Sequence, residues 1–226
     1  MKRKAWLLLF SAMMVFAVPA HAQREFLCGF TGFDYVIPAS PGAVPFIVVG
    51  QDYRAVGFVT QFSPIFAGVV TPAYEHTFYL QDASPATATF VNNTLEVSFK
   101  PHARFRIYED AVHDAAYGIN PPNVPAPAFF VNGTLILGAD VNNFVLVYDY
   151  TANQGNFDGT ATLDEGADLY LIPPTRRSGW VMSGQAGRPN ATVPDGYVNQ
   201  LSGEIQIPSV TPTSHRTWGS LKALYR

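Results

Sequence analysis

Four carboxylates fall within one short stretch, at Asp158, Asp164, Glu165 and Asp168, with Asn153 and Asn156 just ahead of them. Clustered oxygen donors of this kind are what calcium takes, so these residues are candidate Ca2+ ligands. Their spacing matches no EF-hand or repeat-type calcium loop, and Asp164-Glu165-Gly166 also suits an ordinary hairpin turn. A second grouping is Glu109-Asp110-Ala111-Val112-His113-Asp114. A helical turn there would set Glu109 and His113 on one face, where a carboxylate and an imidazole can share a metal or a proton. The third grouping is aromatic. Trp180, and Tyr197 in the turn Val193-Pro194-Asp195-Gly196-Tyr197, are candidate rings for holding a sugar, because a flat ring offers an apolar face with a polar rim.

Nucleophile and phosphate motifs are not found: no G-x-S-x-G, no S-x-x-K, no P-loop and no H-E-x-x-H. Catalytic groups can still meet in space from distant strands. For a polysaccharide hydrolase, Glu75, Glu96, Glu109, Glu165 and Glu204 are the available acids, two of which would have to converge in a cleft.

The elements that must position these residues read as strands. Thr94 to Lys100 alternates without a break, placing Leu95, Val97 and Phe99 on one face and Glu96, Ser98 and Lys100 on the other. Arg104–Tyr108 and Glu204–Ile207 repeat the pattern. Phe46–Val49 and Phe144–Tyr148 are apolar throughout and read as strands covered on both faces. Further strands are expected at 26–37, 53–62, 73–81, 87–92, 129–131, 134–138, 167–172 and 178–184. Prolines punctuate these runs and bound strands to about 5–9 residues, since proline cannot donate to a ladder. The expectation is an all-β, antiparallel β-sandwich or jelly-roll-like domain.

An internal similarity recurs at an offset of 40. Phe90-Val91-Asn92-Asn93-Thr94-Leu95 matches Phe130-Val131-Asn132-Gly133-Thr134-Leu135, and Phe105, Ile107, Tyr108 and Glu109 fall on Val145, Val147, Tyr148 and Asp149. Each copy reads as strand, tight Asn turn and alternating strand.

The chain has 226 residues. Lys2, Arg3 and Lys4, the apolar run Leu7–Val18 and Ala20-His21-Ala22 form an export signal over 1–22. Removing it takes three of the 14 basic residues and none of the 17 acidic ones, leaving 204 residues with a formal charge of −6. That balance disfavours nucleic acid and anionic membranes as partners. No later stretch has the ~20 apolar residues of a membrane helix. An outer-membrane barrel would need ~10-residue strands with an apolar outer face, and the proline spacing leaves room for few of them.

Cys28 is the sole cysteine, so no intramolecular disulfide can form. Arg24 to Leu27 separate it from the apolar run, which argues for a buried strand residue rather than a lipidation site. Residues 23–208 read as the β-domain, with a split near 85 into two sub-cores as the alternative. Residues 209–226 read as a Pro/Thr linker and a C-terminal tail.

The expectation is an exported protein (secreted, cell-surface or periplasmic) acting as a binding or structural surface module, with a glycan or a cell-surface partner. The alternatives are a secreted polysaccharide hydrolase and a self-assembling surface subunit, whose repeated Asn-Thr-Leu strands would pair between chains.

Overall fold

Small and apolar residues alternate with polar ones along most of the chain, and that period of two builds ten strands. The computed structural model describes residues 25–39, 47–117, 128–188 and 193–207. The export signal and the tail lie outside the described residues. The strands are β1 (Glu25–Ile37), β2 (Asp52–Phe62), β3 (Glu75–Ala83), β4 (Pro85–Val91), β5 (Thr94–Phe99), β6 (Ala103–Asp110), β7 (Thr134–Asp149), β8 (Gln154–Glu165), β9 (Trp180–Gly187) and β10 (Gln200–Ile207), with one helical turn, α1 (Ala128–Val131).

The all-β class holds, but the sheet does not split into a sandwich or jelly roll. Its order is β4-β5-β7-β6-β3-β2-β1-β10-β9-β8, and β8 pairs again with β7. Eight antiparallel strands therefore close into a barrel, with the β4–β5 hairpin as an extension on β7. Strand length explains the closure. No proline stands between Pro127 and Pro173, so β7 reaches 16 residues and β8 reaches 12. Strands this long carry enough twist for the sheet to curl and meet itself.

The extension is one long hairpin bent in the middle. β3 pairs with β6 from Glu75↔Asp110 to Gln81↔Arg104, and β4 pairs with β5 from Pro85↔Phe99 to Val91↔Thr94. Its tip is Asn92-Asn93 with φ of 49° and 63°, a left-handed pair that asparagine tolerates. The bend falls at Asp82 (φ 60°) and His102 (φ 74°), level with an irregularity in β7 at Asn142 and Asn143. There the His102 N–H donates to Asn142 Oδ1 at 3.2 Å. Beyond this level β7 leaves β6 and takes β5 as its neighbour.

The residues of the 40-residue offset pair with each other reciprocally. Thr94 faces Asp149 and Leu95 faces Tyr148, while Thr134 faces Glu109 and Leu135 faces Tyr108. The two copies part company upstream. Phe90 and Val91 end a strand, whereas Phe130 and Val131 lie in α1.

Inward-facing rings fill the barrel. Phe30 meets Phe78 at 5.0 Å and Phe105 at 5.2 Å, and Phe157 links this group to Phe144, Phe99 and Tyr53. About 10 Å³ of free space remains among them, at or below what one water needs. Residues on both sides of position 85 share this core. Along β8, Phe157, Ala161 and Leu163 point in, while Gln154, Asn156, Asp158, Thr160, Thr162 and Asp164 are exposed. Along β8 the outer face is thus polar and the inner face apolar, the reverse of a lipid-facing strand. Among the described residues no helix is long and apolar enough to cross a membrane.

Cys28 is fully buried in β1, and burial pushes its thiol up to about 12. The native protein is therefore expected to leave an aromatic disulfide reagent unreacted at neutral pH, with one thiol per chain released to it on unfolding. Stoichiometric reaction of the folded protein would contradict this packing.

Several expected elements differ. Val48 and Val49 are 47% and 59% exposed and lie in no strand. Residues 129–131 belong to α1, and 169–171 form a 3-10 turn. The stretches 134–138 and 144–148 are parts of the single strand β7.

Candidate functional site at the barrel mouth

The packed interior leaves no room for a ligand, so the space for one lies at the end of the barrel where the bent hairpin projects. A pocket of about 350 Å³ opens there. The hairpin supplies Phe90, Asn93 and Leu95, and the end of β7 supplies Leu146 and Tyr148, followed by Tyr150. Asn153 comes from the β7–β8 turn, Arg188 follows β9, Val198 and Asn199 precede β10, and Ile47 precedes β2. Its aromatic walls touch one another: Phe90 and Tyr150 lie 5.6 Å apart, and Tyr148 and Tyr150 lie 4.9 Å apart.

Hydrogen bonds fix the polar rim. Tyr148 Oη donates to Asn153 Oδ1 at 2.9 Å, and Asn153 Nδ2 donates to the Arg188 carbonyl at 2.9 Å. Arg188 takes part in none of the ion pairs among the described residues. Its guanidinium is thus a cation at the edge of a mostly apolar space, with no carboxylate paired to it among the described residues.

The base of the mouth rests on Asp34. This carboxylate is wholly buried in β1 and accepts three hydrogen bonds, from Tyr53 Oη at 2.9 Å, the Asn199 N–H at 2.5 Å and Asn199 Nδ2 at 3.0 Å. Backbone bonds from the Asp34 N–H to the Asn199 carbonyl and from the Val198 N–H to the Asp34 carbonyl complete the clamp. Burial pushes the Asp34 carboxyl up to about 6, with the bonds from Asn199 and Tyr53 acting against it. Asp34 does not itself line the pocket; Asn199 does. None of the described lining residues is a carboxylate, so the two acids of a glycosidase are not assembled at this mouth.

The residues singled out by sequence lie elsewhere. Trp180 and Tyr197 are 2% and 5% exposed, so neither displays a ring to solvent. Trp180 packs in the barrel core and donates Nε1–H to the Arg176 carbonyl at 2.9 Å. Tyr197 belongs to an outer aromatic cluster that α1 and neighbouring loops press onto β1, β2 and β3, where it meets Phe33, Tyr35 and Tyr117.

The acidic group does not converge either. Asp164 accepts a bidentate pair from Arg104 at 2.7 Å, and Glu165 accepts from Arg104 at 2.5 Å and Arg106 at 2.7 Å. Burial works to raise the Glu165 carboxyl, but the bonds from Arg106 and Arg104 hold it below the usual range. Asp158 lies six residues back on the exposed face of β8. Asp168, raised by burial and by the charge of Glu109, caps no bond at the start of its 3-10 turn. Among the described residues no three His, Cys, Asp or Glu side chains gather around a common point. Glu109 and His113 share no helix face. Glu109 lies 2.9 Å from His76 Nε2, while His113 Nε2 lies 2.6 Å from the Ala73 carbonyl.

Comparison of the chain with models of protein families, curated proteins and solved structures returns no match. The fold and the site together define a class: a closed, side-chain-filled antiparallel barrel with an aromatic pocket at one mouth.

Proposed function

We propose that this chain is an exported binding protein whose barrel mouth takes a small amphiphile with an apolar or aromatic body and an anionic group. The observation that carries this reading is the pocket itself. Leu95, Leu146, Tyr148 and Phe90 supply apolar walls, and Arg188 stands at the rim with no ion-pair partner among the described residues. A cleft of this size, mostly apolar with a few placed polar groups, is the usual form of a small-molecule site. The cation selects the sign of the ligand's charge, and the rim amides of Asn93 and Asn153 orient it.

The test is a fluorescence titration with 1-anilinonaphthalene-8-sulfonate, an aromatic anion. Binding of one molecule per chain is expected. Arg188→Ala should weaken it by about tenfold or more, the loss of one charge-assisted contact worth about 1.5–3 kcal/mol. Leu95→Trp should block it by filling the pocket. Absence of saturable binding, or binding indifferent to both substitutions, would overturn the reading.

A further inference from the structure

Outside the barrel, on the face of β8, β9 and β10, lies a second concavity of about 790 Å³, which shares Asn153 and Arg188 with the mouth pocket at one end, where Asp149 also lines it, but none of that pocket's apolar walls. Two cross-strand rows line it. One runs Gln154–Gly187–Gln200 and the other Asn156–Gln185–Ser202, each member directly opposite the next. We propose that this trough is a binding site for a neutral saccharide.

The chemistry of the rows carries the assignment. A carboxamide both donates and accepts, as a sugar hydroxyl does, and carries no charge. Four carboxamides and a hydroxyl stand in two parallel rows, with neighbours in a row about 5 Å apart. None of these five side chains hydrogen-bonds to another described residue. Several amides elsewhere on the surface are engaged, Asn132 donating to Asp114, Asn142 to Asp140 and Asn143 to Thr160, while Gln61 and Asn92 stand singly and in no such row. Val147 extends the second row beyond Asn156 and is exposed, which gives the C–H face of a sugar ring an apolar contact.

Gly187 makes the hollow. Its φ is not in the left-handed region, and a Cβ there would meet the Asn153 carbonyl at 3.6 Å and Gln154 Cβ at 4.0 Å, which is ordinary contact. Neither backbone conformation nor close packing demands glycine at this position. The missing side chain opens the row between Gln154 and Gln200 to an occupant.

The same tolerance supplies a clean test. Purified protein is titrated with cellohexaose, laminarihexaose, chitohexaose and maltohexaose, followed through the side-chain amide resonances of its Asn and Gln residues. At least one hexasaccharide is expected to shift the amides of Gln154, Asn156, Gln185 and Gln200 together. Gly187→Leu should weaken that binding by about tenfold, and the double variant Gln185→Ala/Gln200→Ala should do the same. Binding of the aromatic anion at the mouth should stay unchanged in all of them, which separates this proposal from that of the mouth pocket. If no hexasaccharide shifts these amides at about 10 mM, the proposal fails. It fails equally if Gly187→Leu binds as the parent does.

Discussion

Truncating Phe30 to alanine is expected to remove about 3–5 kcal/mol of unfolding free energy, the range for a fully buried aromatic. Its ring touches Phe78 and Phe105 and stacks toward Phe157, and a Cβ on Gly203 would come within 2.6 Å of it. These neighbours belong to strands hydrogen-bonded on both sides, so they cannot close over the gap. The vacated volume should stay dry and apolar, and benzene should recover part of the loss by filling it. Denaturant titrations of both proteins, with and without benzene, measure the effect. A loss under about 1 kcal/mol would mean that the rings are not the close-packed stack described.

The second large effect is electrostatic and depends on pH. With an ordinary value of 3.8 and a native value of about 6, Asp34 keeps its proton in the folded protein after the unfolded chain has released it. Between those values the native state binds more protons, so stability falls as pH rises through the window, by about 3 kcal/mol in total. Below pH 4 the full contribution is present, and above about 6 it is gone. Asp34→Asn cannot titrate. The difference in unfolding free energy, parent minus variant, should therefore decline from pH 4 to pH 7 and then level off. A difference that is flat, or that grows with pH, would show that the clamp onto Asn199 and Tyr53 outweighs the burial of the charge.

The strand pattern was readable wherever inward residues are large. Leu95, Val97 and Phe99 are buried and Glu96 is exposed, as their alternation requires. β8 escaped notice for the opposite reason. Four of its inward positions are Gly155, Gly159, Ala161 and the isolated Phe157, which carry little hydrophobic signal, while its outward face is Asp, Asn and Thr. Its acids therefore read as a calcium-binding turn instead of the solvated side of a strand and an ion-paired strand end. With β8 unseen, nothing in the sequence called for closure, and an open pair of sheets was the natural inference.

The mouth was less readable still. Its walls come from six separate segments, and no spacing along the chain links Phe90 to Tyr148 or to Arg188. One signal was present. Asp34 stands alone within Phe33-Asp34-Tyr35-Val36-Ile37, and a single acid in an apolar run marks either a strand face turned to water or a carboxylate held inside. Without the partner segment at 198–199, the sequence could not say which.

The seam between β1 and β10 joins the two ends of the described chain, with Glu25 opposite Ile207. Until the last strand is available, β1 and β9 both present unpaired edges, and the ring stack has an open side. Contacts so distant in sequence delay folding, because the loop must close before any pairing rewards it. A chain made from its N-terminus therefore has no finished barrel, and it stays unable to lock until β10 is present. Late closure makes the segment 200–207 the part whose loss would leave the chain most open to proteolysis.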